Sequence, residues 1–274
     1  MKPFLNPARF LRNQLRRRFH TASPGALART DAFHWRDFTV VEGECVSEAI
    51  IHYGIYEPAL TEAFLRLVTP GQVVVDVGMH LGYFTTLFAV RVGPAGAVHA
   101  FEPTPSTREI ARHNTRRCPQ VQVHPYALWS ASQELSFQDF GLQWMAFNSL
   151  SRPRLEGVQA TPKTYRVQTT TLDEFRRTLS RPVALVKIDA ESAELEILKG
   201  ADALLAQDRP ILTLEVGDAP AGSTASRDLV AWLSARGYRS WEWRKGGFHR
   251  HEARDHYEYD NLVFAPESRE LTGS

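Results

Sequence analysis

Two runs in this sequence place charged and small residues directly after apolar, strand-like segments. The first overlaps the end of residues 73–77 and reads Asp76-Val-Gly78-Met-His80-Leu-Gly82. Glycines at a turn from a strand into a helix let a ligand approach the backbone closely and leave N–H groups aimed at it. An acidic residue at the strand end repels a pyrophosphate and attracts a cation, such as an α-amino group. The spacing also differs from the Gly-x-Gly-x-x-Gly pattern of dinucleotide binders.

Glu102 ends the next apolar segment of the chain. An acidic residue at this position accepts hydrogen bonds from both ribose hydroxyls of an adenosine. This arrangement fits a nicotinamide cofactor and S-adenosylmethionine equally well. Asp76 favours S-adenosylmethionine, because the methionine part of that cofactor carries an α-amino group.

The second run, Lys187-Ile-Asp189-Ala-Glu191, places three charged side chains on one face at the carboxyl end of a predicted strand. Charged residues in an otherwise apolar strand are costly unless they are paired or used. Because open α/β sheets bind ligands at this edge, Asp189 and Glu191 are candidate bases for transfer to a hydroxyl. Lys187 is a further catalytic candidate, and His80 and His124 are additional candidates for the base.

Asp189 also belongs to a candidate metal site. Glu215 and Asp218 lie at the end of an adjacent predicted strand, and hard cations such as Mg²⁺ prefer clusters of carboxylate oxygens. The two cysteines, Cys45 and Cys118, match no metal-ligand spacing and are typical of a reduced cytosolic chain. The sequence contains no P-loop and no Ser-His-Asp nucleophile elbow.

From residue 72 onward, short apolar segments alternate with segments of helical periodicity. This alternation predicts an α/β fold with a doubly wound, Rossmann-like, mostly parallel sheet. The predicted strands cover residues 73–77, 97–102, 121–128, 134–138, 165–170, 183–189, 211–216, 238–243 and 259–264. The predicted helices cover residues 82–92, 105–116, 172–179, 193–198 and 226–236.

The chain before residue 71 has a different pattern. A helix is predicted over residues 57–68, whereas residues 31–55 are expected to be irregular or short-strand lid material and residues 21–28 a linker. An amphipathic helix is predicted over residues 6–19, in a segment, residues 1–30, that contains seven Lys or Arg and no acidic residue. A helix of this kind is typical of a peripheral contact with an anionic membrane and of an organellar transit peptide. The alternative is a terminal helix that docks on its own domain or frays in solvent.

These patterns predict four parts of the chain. They are a basic N-terminal segment and linker (1–30), a lid and helical segment (31–70), a cofactor-binding domain (71–266) and a tail (267–274).

Composition excludes several classes of protein. The 274 residues are 43% hydrophobic and 23% charged, which excludes a disordered chain. No run approaches the roughly 20 apolar residues of a spanning helix, so the sequence is not that of an integral membrane protein. The net charge is +1 with the basic excess in the first 30 residues, and the mildly acidic remainder disfavours a nucleic-acid partner. We expect a cytoplasmic protein with a small-molecule partner and find no pattern that sets its oligomeric state.

An ordered set of short motifs resembles a known family, the FkbM-type S-adenosylmethionine-dependent methyltransferases. The resemblance covers about residues 53–216, with an echo at residues 260–262. Its motifs are Tyr56-Glu57-Pro58, Pro70-Gly71, Asp76-Val-Gly78, Gly82-Tyr-Phe-Thr85, Phe101-Glu102-Pro103, Asn114, Ala127-Leu128, Ser149-Leu150, Thr171-Leu172-Asp173 and Lys187-Ile-Asp189-Ala-Glu191. Each motif alone is weak, and their order makes the resemblance specific.

The resemblance implies a class I methyltransferase fold with a seven-stranded sheet, and O-methylation of a hydroxyl on a sugar, glycolipid or natural product. S-adenosylmethionine is the implied cofactor, and Mg²⁺ is a second candidate. The implied cofactor residues are Asp76, Gly78 and Gly82 at the methionine end, His80 as a donor to the cofactor carboxylate, Glu102 at the ribose, and Ala127 and Leu128 at the adenine edge. Glu57 is a further cofactor residue with no assigned part of the cofactor. The catalytic candidates are Asp189, Glu191 and Lys187, and the metal candidates are Asp189 and Glu215.

The sequence departs from the family's usual pattern at two places. Met79-His80 stands where Ala-Asn is usual, and Ser192 stands where Gly is usual. The Cβ of Ser192 crowds the turn after the strand if that turn needs a positive φ. Two alternatives therefore stay open: a catalytically weakened binding module with this fold, and a nicotinamide-dependent oxidoreductase, which Asp76 and the missing third glycine disfavour.

Overall fold

The structure is a computed structural model that describes residues 23–150, 160–218 and 226–271. Its strands are β1 (Leu27–Thr30), β2 (Phe38–Val41), β3 (Val73–Val77), β4 (Ala97–Phe101), β5 (Val121–His124), β6 (Ala127–Leu128), β7 (Glu134–Asp139), β8 (Lys163–Thr170), β9 (Val183–Ile188), β10 (Ile211–Val216), β11 (Tyr238–Arg244), β12 (Gly247–Arg250) and β13 (Asp260–Pro266). Its helices are α1 (Cys45–Tyr53), α2 (Pro58–Leu67), α3 (Tyr83–Val92), α4 (Pro105–Thr115), α5 (Leu172–Arg176), α6 (Glu194–Lys199), α7 (Asp202–Gln207) and α8 (Ser226–Ser234), with a 3₁₀-helix at Leu142–Phe147.

The main sheet has eight strands in the order β12-β11-β13-β10-β9-β3-β4-β5. The strands from β10 to β5 are parallel, and β13 is antiparallel to both of its neighbours. The predicted doubly wound, mostly parallel α/β fold is confirmed. The expected count of seven strands is wrong by one, because a hairpin at Lys245 and Gly246, both at positive φ, turns the chain back to form β12.

The predicted strand over 121–128 is two strands in two sheets. β5 ends at His124, and β6 pairs with β8, which in turn pairs with β7, in a separate three-stranded sheet. Pro125 lies between them, and a proline has no N–H to donate to a ladder. This smaller sheet contributes Ala127, Leu128 and Phe137 to the lining of the cavity described below.

The segment before residue 71 is more regular than expected. β1 begins inside the predicted linker and pairs with β2, and helix α1 was not predicted at all. The Glu44 carboxylate caps α1 by accepting the N–H groups of Val46 (3.0 Å) and Ser47 (2.7 Å), and Gly54 ends the helix at φ 71°. Glutamate is not among the residues that usually cap helices, so the start of α1 carries no common signal.

Most predicted helices after residue 57 are present within two or three residues of their expected ends. Helix α7 and the 3₁₀-helix were not predicted. The amphipathic helix expected over residues 6–19 lies outside the described residues, so its membrane contact stays a prediction. Among residues 23–150, 160–218 and 226–271, no helix has both the length and the apolar character needed to cross a bilayer.

Strand β3 divides the interior into two apolar clusters. All of its residues are buried, as expected for a parallel strand covered on both faces. Val74 belongs to one cluster, together with Phe84 of α3, while Val75 and Val77 belong to the other. Because side chains alternate along a strand, Asp76 shares the face of Val74 and lies under α3.

Asn114 of α4 ties the β1–β2 hairpin to the turn after β3. Its Oδ1 accepts the N–H of Thr39 (2.7 Å), and its Nδ2 donates to the carbonyls of Thr39 and Leu81, both at 2.9 Å. Thr39 is 8% exposed and Asn114 is fully buried. One side chain therefore satisfies three backbone groups that have little access to water.

We expect Asn114→Ala to lower the free energy of unfolding by about 2–4 kcal/mol, because it leaves buried backbone donors and acceptors without partners. Urea denaturation measures the change. Arg112→Ala, an exposed position on the same helix, is the control and is expected to cost less than about 0.5 kcal/mol. Equal stability of Asn114→Ala and the wild type would contradict this role.

Candidate functional site

A cavity of about 330 Å³ opens over the carboxyl ends of β4, β3, β9 and β10. The strands are parallel, so residues from separate runs of the sequence meet at this edge. The predicted residues that line the cavity are Gly78, His80, Glu102, Ala127, Leu128, Lys187, Asp189, Glu191 and Glu215. Five other predicted residues that the structure describes do not line it: Glu57, Asp76, Gly82, His124 and Asp218.

The turn after β3 packs tightly between its neighbouring strands. Gly78 has φ 73°, and a Cβ built on it would lie 1.9 Å from the carbonyl oxygen of Asp189. The N–H groups of Gly78 and Met79 donate to the carbonyl of Phe101 at 3.2 and 3.1 Å, and that of His80 donates to the Glu102 carboxylate at 3.2 Å. The expectation that these N–H groups are aimed at a ligand is therefore wrong.

Lys187 is the centre of the charged network. Asp76 and Lys187 are register partners on β3 and β9, and the Lys187 ammonium lies 3.3 Å from a carboxylate oxygen of Asp76 and 3.3 Å from one of Asp189. It also donates to the Gly78 carbonyl at 3.1 Å. Lys187 is 3% exposed and Asp76 fully buried, so this network is shielded from bulk water.

Burial alone disfavours an ammonium, but the carboxylates of Asp189, Asp76 and Glu57 outweigh it and raise the pKa of Lys187 above its ordinary value. Lys187 is therefore a permanent cation at neutral pH and cannot accept a proton. Thr85 adds a hydrogen bond from its hydroxyl to Asp76 at 2.6 Å. Asp76 has protein partners in place of the expected contact with an amino group, while Asp189, with its side chain 34% exposed, faces the cavity.

Glu102 lies at the other end of the cavity. It is 6% exposed, and its carboxylate accepts the N–H of Thr104 (2.9 Å) as well as that of His80. Burial raises the pKa of Glu102 to about 7, against the lowering effect of these hydrogen bonds. Hydrogen bonds donated by the hydroxyls of a ligand would stabilise the charged form of this buried carboxylate.

The wall around the adenine-edge residues was only partly predicted. Ala127 and Leu128 form β6 and pair with β8, and both are buried. The 3₁₀-helix adds Met145 and Phe147 to the cavity lining, between residues 138 and 165, where no helix or strand is predicted. The aromatic residues Phe140, Trp144 and Phe147 in that stretch are the signal that could have identified it.

Three carboxylates converge where the cavity meets β9 and β10. Asp189, Glu191 and Glu215 each bring an oxygen within 4.8 Å of the others. Asp218, the other metal candidate, lies outside this group, because its carboxylate accepts the N–H groups of Ser226 and Tyr257, both at 2.9 Å. The geometry suits either a proton acceptor or a hard cation.

The turn that carries Glu191 is strained. Glu191 has φ 49° and Ser192 has φ 71°, so the condition under which Ser192 crowds the turn is met. The Ser149 hydroxyl donates to the Glu191 carbonyl at 2.8 Å and holds the turn in place. Non-glycine residues in this conformation cost of order 1–3 kcal/mol and cluster at functional sites.

The two candidate histidines have different positions. His80 lines the cavity, and its Nε2 lies 3.7 Å from the buried Glu44 carboxylate. Burial lowers the pKa of His80, so the ring is neutral near pH 7. His124 stacks on Phe101, with ring centroids 4.7 Å apart, and does not line the cavity.

Glu57 lies beside a second, smaller cavity. Its Oε1 accepts a hydrogen bond from the Tyr259 hydroxyl and another from Asn261 Nδ2, both at 2.7 Å. Burial, followed by the charge of Asp189, raises the pKa of Glu57. Glu57 thus does not line the main cavity itself, but it is bonded to Tyr259, which does, and to Asn261 of β13.

A doubly wound sheet with a cavity over the strand ends, and an acidic residue after β4, define a Rossmann-like class of α/β protein. The chain belongs to the FkbM family of methyltransferases: the family model described as the methyltransferase FkbM domain matches residues 76–240. The resemblance found in the sequence is confirmed.

Two curated relatives are 29% identical to this chain. One is the AMB antimetabolite synthetase AmbE of Pseudomonas aeruginosa, matched over 75% of this chain and 12% of AmbE. The other is the hexuronic acid methyltransferase AglP of Haloferax volcanii, matched over 54% of this chain and 58% of AglP. The chain therefore spans well under two thirds of either relative.

Solved structures show more distant similarity. An FkbM methyltransferase from Methylobacillus flagellatus KT is 16% identical with a TM-score of 0.45, over 74% of this chain and 50% of that chain. Fibrillarin from Aeropyrum pernix, solved with bound S-adenosylmethionine, is 15% identical with a TM-score of 0.44, over 89% of this chain and all of that chain. These similarities are too distant to carry a functional conclusion.

We expect Gly78→Ala to prevent stable folding or to displace the turn, because the new Cβ would overlap the Asp189 carbonyl. Gly82→Ala is the matched control. Gly82 also has a positive φ, but its nearest neighbours are 3.5 Å away, so the cost is limited to about 1 kcal/mol of backbone strain. Thermal unfolding separates the two, and equal melting temperatures would contradict the close packing at Gly78.

The raised pKa of Glu102 predicts a pH-dependent stability. The folded protein holds this proton up to about pH 7, whereas the unfolded chain releases it near pH 4.5, so stability falls as pH rises between these values. Glu102→Gln removes this contribution. Between pH 4.5 and pH 8, the free energy of unfolding should therefore decrease less in Glu102→Gln than in the wild type, by about 1–3 kcal/mol. Glu109→Gln, at an exposed position, should keep the wild-type slope in denaturation at each pH. Identical slopes for all three proteins would contradict the prediction.

Proposed function

We propose that this protein transfers a methyl group from S-adenosylmethionine to a hydroxyl of a sugar, glycolipid or natural product. The observation that carries the proposal is the group of three carboxylates, Asp189, Glu191 and Glu215, next to the Lys187 ammonium in the large cavity. Membership of the FkbM family supports methyl transfer. The hexuronic acid methyltransferase among the relatives supports a sugar acceptor.

The cofactor is assigned to the end of the cavity near β3 and β4. Glu102 would accept hydrogen bonds from the ribose hydroxyls, and Ala127 and Leu128 would contact the adenine edge. The side chain of His80 would donate a hydrogen bond to the methionine carboxylate. When bound, S-adenosylmethionine supplies the electrophilic methyl group on its sulfonium. The described residues fit such a group, because Glu102 is a buried acceptor after β4 that lines the same cavity as the three carboxylates.

The acceptor hydroxyl is assigned to the three carboxylates. Asp189 would accept its proton, and the neighbouring Lys187 would offset part of the negative charge of the carboxylates without taking a proton itself. In-line placement of the hydroxyl beside the methyl group would account for much of the rate of methyl transfer. A positioned base would increase that rate by about 10²–10⁴-fold. A Mg²⁺ held by Asp189 and Glu215, with Glu191, is the alternative means of activating the hydroxyl.

A second candidate is a binding module with this fold and little turnover. The strained Ser192, at φ 71°, is the observation that favours it, because the turn carrying Glu191 sits beside the proposed acceptor. Membership of a methyltransferase family disfavours the nicotinamide-dependent oxidoreductase.

One experiment separates these functions. The full chain is titrated calorimetrically with S-adenosylhomocysteine and with NAD, and then incubated with S-adenosylmethionine and hexuronic acids, neutral sugars, glycolipids and polyketide alcohols. Binding of S-adenosylhomocysteine together with an O-methylated product in mass spectra supports the proposal. Binding without any product supports the binding module, and binding of NAD alone contradicts both. Glu102→Ala should weaken S-adenosylhomocysteine binding by about 1–3 kcal/mol.

We expect Asp189→Asn to lower kcat by about 10²–10⁴-fold, because the amide keeps the shape of the carboxylate but neither accepts a proton nor holds a cation. The affinity for S-adenosylhomocysteine should change by only a few-fold. Asp202→Asn, an exposed carboxylate of α7, is the control and should leave kcat as it is. Inhibition of the wild type by a chelator would assign Asp189 to metal binding, and near-normal turnover of Asp189→Asn would remove it from the mechanism.

A further inference from the structure

A second cavity, of about 190 Å³, adjoins the first. It lies between the start of α2 and the strands β11 and β13. Its lining includes the side chains of Leu60, Trp243, Asp260 and Asn261, together with Glu57. The cavity is smaller than the one assigned to the cofactor, and its volume suits a single ring.

Trp243 is held in one orientation at this cavity. Its indole Nε1 donates to Glu62 at 3.1 Å, and its ring meets Phe248 edge to face, with centroids 4.7 Å apart and planes at 71°. A fixed aromatic face packs well against the C–H groups of a pyranose. The carboxylate of Asp260 and the amide of Asn261 supply hydrogen-bonding groups for hydroxyls.

Glu57 joins the two cavities. Its Oε1 accepts from Tyr259, which lines the first cavity, and from Asn261, which lines the second. Asn261 is also the register partner of Glu215, one of the three converging carboxylates. The second cavity therefore begins one strand beyond the point where the acceptor hydroxyl is assigned.

The charge of the second cavity restricts its ligand. Among the described residues that line it, the charged ones are Glu57 and Asp260, and both are acidic. Arg254 lies 3.8 Å from the Asp260 carboxylate and offsets part of its charge, but no cationic side chain lines the cavity itself among the described residues. A neutral sugar ring is therefore favoured there over an anionic one. A hexuronate, if methylated, would thus have its carboxylate outside this cavity.

We propose that the second cavity is a binding subsite for a neutral sugar ring attached to the ring that is methylated. The inference rests on the proposed methylation of a sugar hydroxyl and narrows its substrate class to oligosaccharides or glycosides. The order of residues along the sheet edge supports it: Glu102 after β4, the carboxylates at β9 and β10, and Asn261 at β13.

The test compares two acceptors with the full chain: a monosaccharide that the wild type methylates, and the disaccharide in which a neutral hexose is attached to it. We expect kcat/KM to favour the disaccharide by about tenfold or more, the effect of one well-packed ring. Trp243→Ala should reduce this ratio to about one, and Trp243→Phe should retain part of it. Trp232→Ala, a tryptophan of α8 away from both cavities, is the matched control and should keep the wild-type ratio.

Equal kcat/KM values for the disaccharide and the monosaccharide would overturn the proposal. A disaccharide-to-monosaccharide ratio that is the same in Trp243→Ala as in the wild type would also overturn it. If Trp243→Ala does not fold, Asp260→Ala replaces it with the same expected loss of the ratio. If no sugar is methylated, the proposed function fails, and binding of the disaccharide by saturation-transfer NMR decides the subsite separately. Binding that Trp243→Ala or Asp260→Ala removes then supports the subsite, and absence of binding overturns it.

Discussion

The buried ammonium of Lys187 is the interaction on which the site depends. It lies between the carboxylates of Asp76 and Asp189 and donates to the Gly78 carbonyl, so a single cation links the end of β3 to the end of β9. Removing water from these charges is expensive, and the arrangement is tolerated only because each charge has a close partner. The same pairing sets their chemistry: Lys187 stays protonated, Asp76 is enclosed, and Asp189 is the partly exposed member of the three.

The contacts around Lys187 also divide the sheet edge into regions. On one side, the turn at Gly78 is bonded to β4, and the N–H of His80 orients the Glu102 carboxylate. On the other side, Glu215 brings β10 to the same cavity. Acidic groups thus occur at both ends, but burial gives Glu102 a pKa of about 7, while Asp189 is partly exposed beside a cation. Two carboxylates on one edge are suited to different tasks because their surroundings differ.

Backbone strain is concentrated in the same region. Among the described non-glycine residues, seven have a positive φ, and four of these, Glu57, His80, Glu191 and Ser192, lie at or beside the two cavities. Three of the four make hydrogen bonds to neighbouring groups: Glu57 to Tyr259 and Asn261, His80 to Glu102, and the carbonyl of Glu191 to Ser149. Strain of this kind persists only where the surrounding structure over-determines the conformation. The hairpin tied down by Asn114 and the small sheet containing β6 supply part of that surrounding structure.

The sequence by itself determined the alternation of strands and helices, the family, and the position of Asp189, Glu191 and Glu215 at the carboxyl edge of the sheet, because strand periodicity, glycine turns and short motifs are local properties. Only the tertiary structure decided how those groups are used. It paired Asp76 with Lys187 across two strands, placed Asp218 outside the group of carboxylates, and added the 3₁₀-helix around Met145 to the cavity lining. These outcomes depend on register and on contacts between distant segments, which no local pattern encodes. The cap of α1 by Glu44 was missed for a related reason, since burial made an uncommon residue an effective cap.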